Sequence, residues 1–197
     1  FFLGLDKSQS GRFIKISAYD HATSEVYLLD AHNPAGELHL VAYRDTGVEY
    51  QITQIGDKLF INTNADGAVD FKIVEAPIDN PGRENWKDIV SHEPGRLIRT
   101  LLEFDNHLVR LERIAGLPRI IVREVNTGTE YTIEFSEEIY ELGLVPGYEF
   151  KTSILRFTYT SMTTPRRTYD FNMANHSREL RQEQEVPSGH DPSEYIT

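Results

Sequence analysis

The side chains that could do chemistry are scattered along this chain. Seven histidines are present, at positions 21, 32, 39, 92, 107, 176 and 190. They form no His-Glu-x-x-His run and no other ligand pair at helical spacing. His190-Asp191 sets an imidazole beside a carboxylate, as a proton relay would need. Adjacent side chains on an extended chain point to opposite faces, so a linker turn is the simpler reading. A nucleophile of the α/β-hydrolase type would sit in G-x-S-x-G, on a sharp turn that exposes its hydroxyl. No such run occurs, and Ser188-Gly189 has the wrong flanks. There is no phosphate-binding Gly-Lys-Ser/Thr and no dinucleotide fingerprint. The chain has no cysteine, which excludes disulfides and thiolate metal sites.

Three charged or oxygen-rich stretches remain. Asn62, Asn64 and Asp66 precede Gly67 with the alternation of a calcium loop, but Asp70 cannot serve as the bidentate closing ligand. A hairpin turn at Asp66-Gly67 accounts for the same residues, since glycine tolerates positive φ. Glu137-Glu138 is an acidic pair in a segment that could also start a helical turn. Arg110, Arg113, Arg119 and Arg123 cluster in one hairpin. They are expected to pair with Glu112 and Glu124 across strands, with docking of another domain as the alternative. Arg166-Arg167 beside Pro165 reads as a turn first and an interface second. No catalytic, cofactor-binding or metal-ligating residue is assigned, and no cofactor is expected.

The elements that carry these residues are strands. In Ile154–Met173, Leu155, Phe157 and Tyr159 alternate with Arg156, Thr158 and Thr160. Tyr169, Phe171 and Met173 alternate with Asp170 and Asn172. Period-two alternation of aromatic and β-branched residues marks half-buried strands. Thr164-Pro165 supplies the turn. Comparable hairpins begin at Gly11, Gly56, Asp105 and Thr152, spaced 45, 49 and 47 residues apart. A strand-only period of about 40–50 residues is that of β-propeller blades, each with four strands. The expected fold is therefore all-β: about four consecutive four-stranded antiparallel blades, at residues 1–46, 47–95, 96–135 and 136–188. The fourth strands of the first and third blades are expected at Leu38–Ala42 and Glu130–Phe135. The polar run Ser177–Glu185 suits an outermost strand. Residues 189–197 read as a linker, with Glu194–Thr197 starting a further strand.

The chain has 197 residues, 39% hydrophobic and 26% charged, an ordinary globular composition. The net charge of −11 disfavours nucleic acid and anionic membranes as partners. No run approaches the length of a membrane span. The lack of cysteine fits a reducing compartment, and a cytoplasmic location is expected. The chain opens on Phe1-Phe2, so its natural N-terminus is expected to lie upstream.

Several stretches carry a resemblance: LDKSQSGRFI (Leu5–Ile14), TSEVYLLDA (Thr23–Ala31), GVEYQIT (Gly47–Thr53), TNADGAVDFKIVEAP (Thr63–Pro77), HLVRLERIAGLPRIIV (His107–Val122), SMTTPRRTYDF (Ser161–Phe171) and QEVPSGHDPSEYIT (Gln184–Thr197). Through them the sequence resembles the N-terminal propeller of the prolyl oligopeptidase family of serine peptidases, most closely its oligopeptidase B (protease II) branch. The resemblance implies a seven-bladed propeller over an α/β-hydrolase domain, with cleavage of short peptides after Lys or Arg by a Ser/Asp/His triad outside this segment. The implied partners are that C-terminal peptidase domain and short basic peptides. A stand-alone propeller-like binding module is the competing reading. Missing neighbours would leave the end blades uncovered. Self-association is then expected through some of Phe1, Leu3, Ile14, Ile16, Phe157 and Tyr169.

Overall fold

The computed structural model describes residues 1–190. Sixteen strands form four antiparallel four-stranded sheets, each in simple sequence order. The first sheet holds β1 (Phe2–Lys7), β2 (Phe13–Tyr19), β3 (Ser24–Asp30) and β4 (His39–Leu40). The second holds β5 (Tyr50–Ile55), β6 (Lys58–Thr63), β7 (Lys72–Pro77) and β8 (Lys87–Val90). The third holds β9 (Arg96–Glu103), β10 (His107–Ile114), β11 (Leu117–Glu124) and β12 (Glu130–Thr132). The fourth holds β13 (Tyr140–Val145), β14 (Ile154–Ser161), β15 (Arg167–Asn172) and β16 (Arg178–Glu183). Among the described residues the only helical pieces are single 3-10 turns at Ala65–Gly67 and Arg83–Asn85. Residues 191–197, where the rest of the linker and the strand at Glu194–Thr197 are expected, lie outside the described residues.

Successive sheets are joined face to face by three apolar clusters. Phe13, Val26 and Leu28 of the first sheet meet Ile52, Leu59 and Val74 of the second. Phe60 and Ile73 of the second meet Ile98 and Leu108 of the third. Val109, Ile120 and Val122 of the third meet Leu155, Phe157 and Phe171 of the fourth. Buried apolar area of this kind is the main favourable term holding the stack together. The alternation of β14 is realised: Leu155, Phe157 and Tyr159 are buried, and Phe157 pairs with Tyr169 across the ladder. Its other face is charged, with Arg156 held by Asp170 at 2.7 Å. β16 is exposed at every position, as its polar sequence required.

Several expectations are corrected. The strand expected at Leu38–Ala42 is only His39–Leu40. One further ladder bond joins Val41 N–H to Val26 O, but the Ala42 carbonyl then accepts from Tyr50 Oη of the next sheet, drawing the chain away. The strand expected to reach Phe135 stops at Thr132. Phe135 leaves the ladder to stack on Tyr159 and meet Phe157 edge-on. Both strands are thus shortened because their ends fill the seam to the following sheet. The turn after β6 is not a two-residue reversal. It is an eight-residue loop, 64–71, in which Asp66 and Phe71 both take positive φ. Lys72 and Arg83 hold the Asp66 carboxylate in that strained place. In the β14–β15 turn, Ser161 Oγ accepts from Thr163 and Thr164 N–H, and Pro165 follows the turn rather than forming it.

The expected exposure of both end sheets is half right. On the first sheet's outer face Leu3 and Leu5 are 79% and 76% exposed, with Ile14 and Ile16 half-buried beside them. On the fourth sheet Phe157 is fully buried and Tyr169 half-buried, because that face turns inward and Arg178 lies over both rings. The outward face of the last sheet is the polar one.

Candidate functional site

Each sheet reverses direction strand by strand, so turns fall at two ends. Turns after β1, β5 and β9 share one end, where Arg12 reaches Gly56 and Asp57 and Gln9 reaches Glu103. Turns after β2, β4, β6, β12 and β14 share the other, where the chain also leaves β16. These are termed the far end and the exit end.

The edges of the first three sheets converge on one cleft of about 530 Å³. It is lined by Asp6 and Lys7 of β1, Tyr50–Thr53 of β5 and Ile98–Glu103 of β9, with Lys15, Ser17 and Tyr19 of β2 on one wall. Charged groups of both signs line it, including Asp20, Glu49 and Arg99. Asp6 takes the Lys15 ammonium at 3.1 Å. Glu103 is buried, and burial raises its carboxyl pKa against the opposing pull of the Gln9 N–H and Lys15.

At the exit end, Glu137 is the most heavily bonded acid. Its carboxylate accepts from Tyr159 Oη at 2.7 Å, Thr163 Oγ1 at 2.9 Å and Thr164 Oγ1 at 2.6 Å. Burial alone would raise its pKa. The hydroxyls of Ser161, Thr164, Tyr159 and Thr163 outweigh burial and hold it at about 2. Glu137 thereby fixes the β14–β15 turn, and the Thr163 carbonyl of that turn lies 2.8 Å from His190 Nε2. His190 is therefore placed by the propeller; Asp191 lies outside the described residues.

The arginine hairpin pairs differently from expectation. Arg110 is buried, bonding Glu112 along its own strand at 2.8 Å and Glu130 of β12 at 2.9 Å. Arg123 shares Glu130, and Arg113 reaches Glu141 of the next sheet. Glu124 takes the Thr127 hydroxyl instead of an arginine. Register alone would set Glu112 against Arg119, which stands opposite it on the ladder; Arg119 is exposed instead, and Glu112 turns to the buried Arg110. Arg167 pairs with Glu183, so the Arg166-Arg167 step starts a strand.

The oxygen-rich loop is used internally. Asn64 Oδ1 accepts from Glu49 N–H, Thr63 Oγ1 donates to the Glu49 carbonyl, and Asp70 caps Gly95 N–H. Among the described residues no three His, Asp or Glu side chains gather as a metal cage would require. What the geometry offers is a wall, a polar cleft and two distinct ends.

The profile described as the N-terminal β-propeller domain of prolyl oligopeptidase matches residues 1–184. The chain belongs to that family. It is 38% identical over 197 residues to dipeptidyl aminopeptidase BI of Pseudoxanthomonas mexicana, covering all of this chain and 27% of that protein. It is 28% identical to protease 2 of Moraxella lacunata, over 99% of this chain and 28% of the relative. The structure of oligopeptidase B from Trypanosoma brucei, in its closed form with covalently bound antipain, superposes with a TM-score of 0.92 at 27% identity. That match covers 100% of this chain and 29% of the other. The chain thus spans between a quarter and a third of the length of these relatives. It is an oligopeptidase B-like propeller segment of the prolyl oligopeptidase family, and the family's parents are peptidases.

The residues that sequence reasoning missed are Glu103, Gln9 and Glu137 as anchors. Glu137 was visible only as half of an acidic pair. The three hydroxyls bonded to it, of Tyr159, Thr163 and Thr164, lie 22 to 27 residues away, beyond any local pattern.

Proposed function

We propose that this chain is part of the non-catalytic cover of an oligopeptidase B-like serine endopeptidase that cleaves short peptides after Lys or Arg. The observation that carries this reading is the likeness to oligopeptidase B over the whole chain, with a TM-score of 0.92. The Ser/Asp/His triad would come from an α/β-hydrolase domain elsewhere in the parent. A stack of packed sheets over that site excludes folded substrates by size, while an extended peptide can still pass.

The peptidase domain docks on the exit end in this proposal. The chain leaves β16 there, and four loops of that end present an exposed apolar side chain. Tyr43, Val69, Ile139 and Met162 are 60 to 86% exposed and come from four different loops. Apolar side chains gathered on one surface mark interaction sites. The net charge of −11 favours basic peptides over nucleic acid or anionic membrane as partners. A cytoplasmic parent is part of the proposal and rests on the absence of cysteine from the chain.

The test is hydrolysis of reporter peptides with Lys or Arg before the scissile bond. The intact gene product should cleave them, and the isolated chain should not. Activity that co-purifies with the isolated chain would defeat the proposal. A second reading follows from the 38% identity to a dipeptidyl aminopeptidase. That reading calls for release of dipeptides from a free N-terminus, so a reporter with a blocked N-terminus separates the two. A gene product with no G-x-S-x-G domain would favour the stand-alone binding module.

A further inference from the structure

The turn between β1 and β2, residues 8–12, is wired far beyond what reversing a chain requires. Gln9 N–H donates to Glu103 Oε1 at 2.9 Å, joining the first sheet to the third across 94 residues of sequence. Ser10 Oγ donates to Gln54 Oε1 of the second sheet. Arg12 holds Asp57 Oδ1 at 2.7 Å and the Gly56 carbonyl at 3.2 Å. One short turn is thus tied to both following sheets. Its own shape is fixed as well: Ser8 is buried, its hydroxyl accepts from Phe13 N–H, and Gly11 sits at a φ of +76°. Hairpins need only two residues to reverse. The β5–β6 and β10–β11 turns of this chain manage with Gly56-Asp57 and Ala115-Gly116.

Glu103 is the costly part of this arrangement. A buried carboxylate loses much of its hydration and has to be compensated by its neighbours. Among the described residues it makes no ion pair, since the nearby Lys15 is engaged by Asp6. Its bond to the turn is what its position achieves. Gln9 and Glu103 both line the inner cleft, at its far end.

We propose that residues 8–12 form a strap across the far mouth of the inner cleft, with Glu103 as its post, and that this strap limits what enters the cleft from the end opposite the chain exit. The class of visitor it screens is an extended peptide. That assignment rests on the peptidase-cover reading; the closure itself does not.

The chain contains no cysteine, so one introduced thiol reports access. Thr53→Cys is a near-isosteric choice: Thr53 is buried, lines the cleft and precedes Gln54, which the strap holds. Labelling is followed with a small methanethiosulfonate and with a bulky polymer-linked maleimide. Glu103→Ala and Gln9→Pro each remove one partner of the anchoring bond. Losing a hydrogen bond to a charged group should speed labelling by about tenfold or more for both reagents. Glu103→Gln keeps an acceptor oxygen and should label at the parent rate. An exposed control, Thr129→Cys in the β11–β12 loop, should not respond. If Gln9→Pro and Glu103→Ala leave the Thr53→Cys rate unchanged while circular dichroism shows native sheet, the strap is refuted. If Glu103→Ala does not fold, Gln9→Pro decides the matter, because it leaves the charge in place. A strap that responds in a gene product without peptidase activity would uphold the closure and sink the peptidase reading.

Discussion

Phe157→Ala is the most searching test of how the last two sheets pack. Phe157 has no solvent exposure and sits at the centre of the cluster between the third and fourth sheets. Its ring meets Phe135 edge-on at 5.7 Å and Tyr169 at 5.6 Å. Truncation removes the transfer free energy of the ring and leaves a cavity, together about 3–5 kcal/mol. The upper half of that range is expected, because the cavity walls are aromatic rings fixed by their own contacts. Phe135 is stacked on Tyr159, and Arg178 lies 4.6 Å above Phe135, so neither can collapse freely into the gap. In a domain of this size each kcal/mol lowers the melting temperature by about 2–4 °C, which makes the expected drop about 8–20 °C. Equilibrium urea unfolding of the isolated chain gives the free energy directly. Phe157→Leu should recover most of the loss, and Ile154→Ala on the outward face should cost less than about 1 kcal/mol. Equal effects at Phe157 and Ile154 would refute the assignment of faces and the packing of the fourth sheet on the third.

Arg110→Ala leaves Glu112 buried without its cation and should cost about 3–5 kcal/mol. A double replacement, Arg110→Met with Glu112→Leu, should restore most of it by removing both charges; urea midpoints of the three proteins test this. Glu137 has a depressed pKa, so the stability it contributes is complete above its unfolded value of about 4.5 and is lost as pH falls toward about 2. Glu137→Gln should flatten the fall in thermal midpoint across that window, and an unchanged acid limb would count against the hydroxyl clasp. The isolated chain should self-associate through the outer face of its first sheet, so Leu5→Lys should reduce concentration-dependent light scattering. The last sheet should contribute little, because its outward face carries Arg156 and Asp170.

Strand existence and order were legible in the sequence because each hairpin obeys a period of two and repeats at blade spacing. Leu155, Phe157 and Tyr159 announced their shared face without help from any distant residue. What stayed hidden depends on contacts between sheets. Ala42 and Phe135 look like strand residues locally, yet both are drawn out of their ladders by Tyr50 and Tyr159 of the next sheet. The arginine hairpin showed its charges but not its partners, since Glu130 and Glu141 come from other strands. The face that Phe157 presents was legible as one that packs on an adjacent blade, as it does; the expectation that the last sheet would also show an apolar outer face was not met. The inner cleft was illegible for a similar reason. Its far end is closed by Gln9 and Glu103, which no periodicity relates.

On the proposed reading, this chain shapes a peptidase without cutting bonds itself. Labelling with a covalent serine-directed organophosphonate, read by peptide mass spectrometry, tests it most directly. In the intact gene product the label should appear on one serine outside residues 1–197, within a G-x-S-x-G run, with loss of activity in proportion. The isolated chain should remain unlabelled under the same conditions. Stoichiometric, activity-linked labelling of any serine within residues 1–197 would contradict the account.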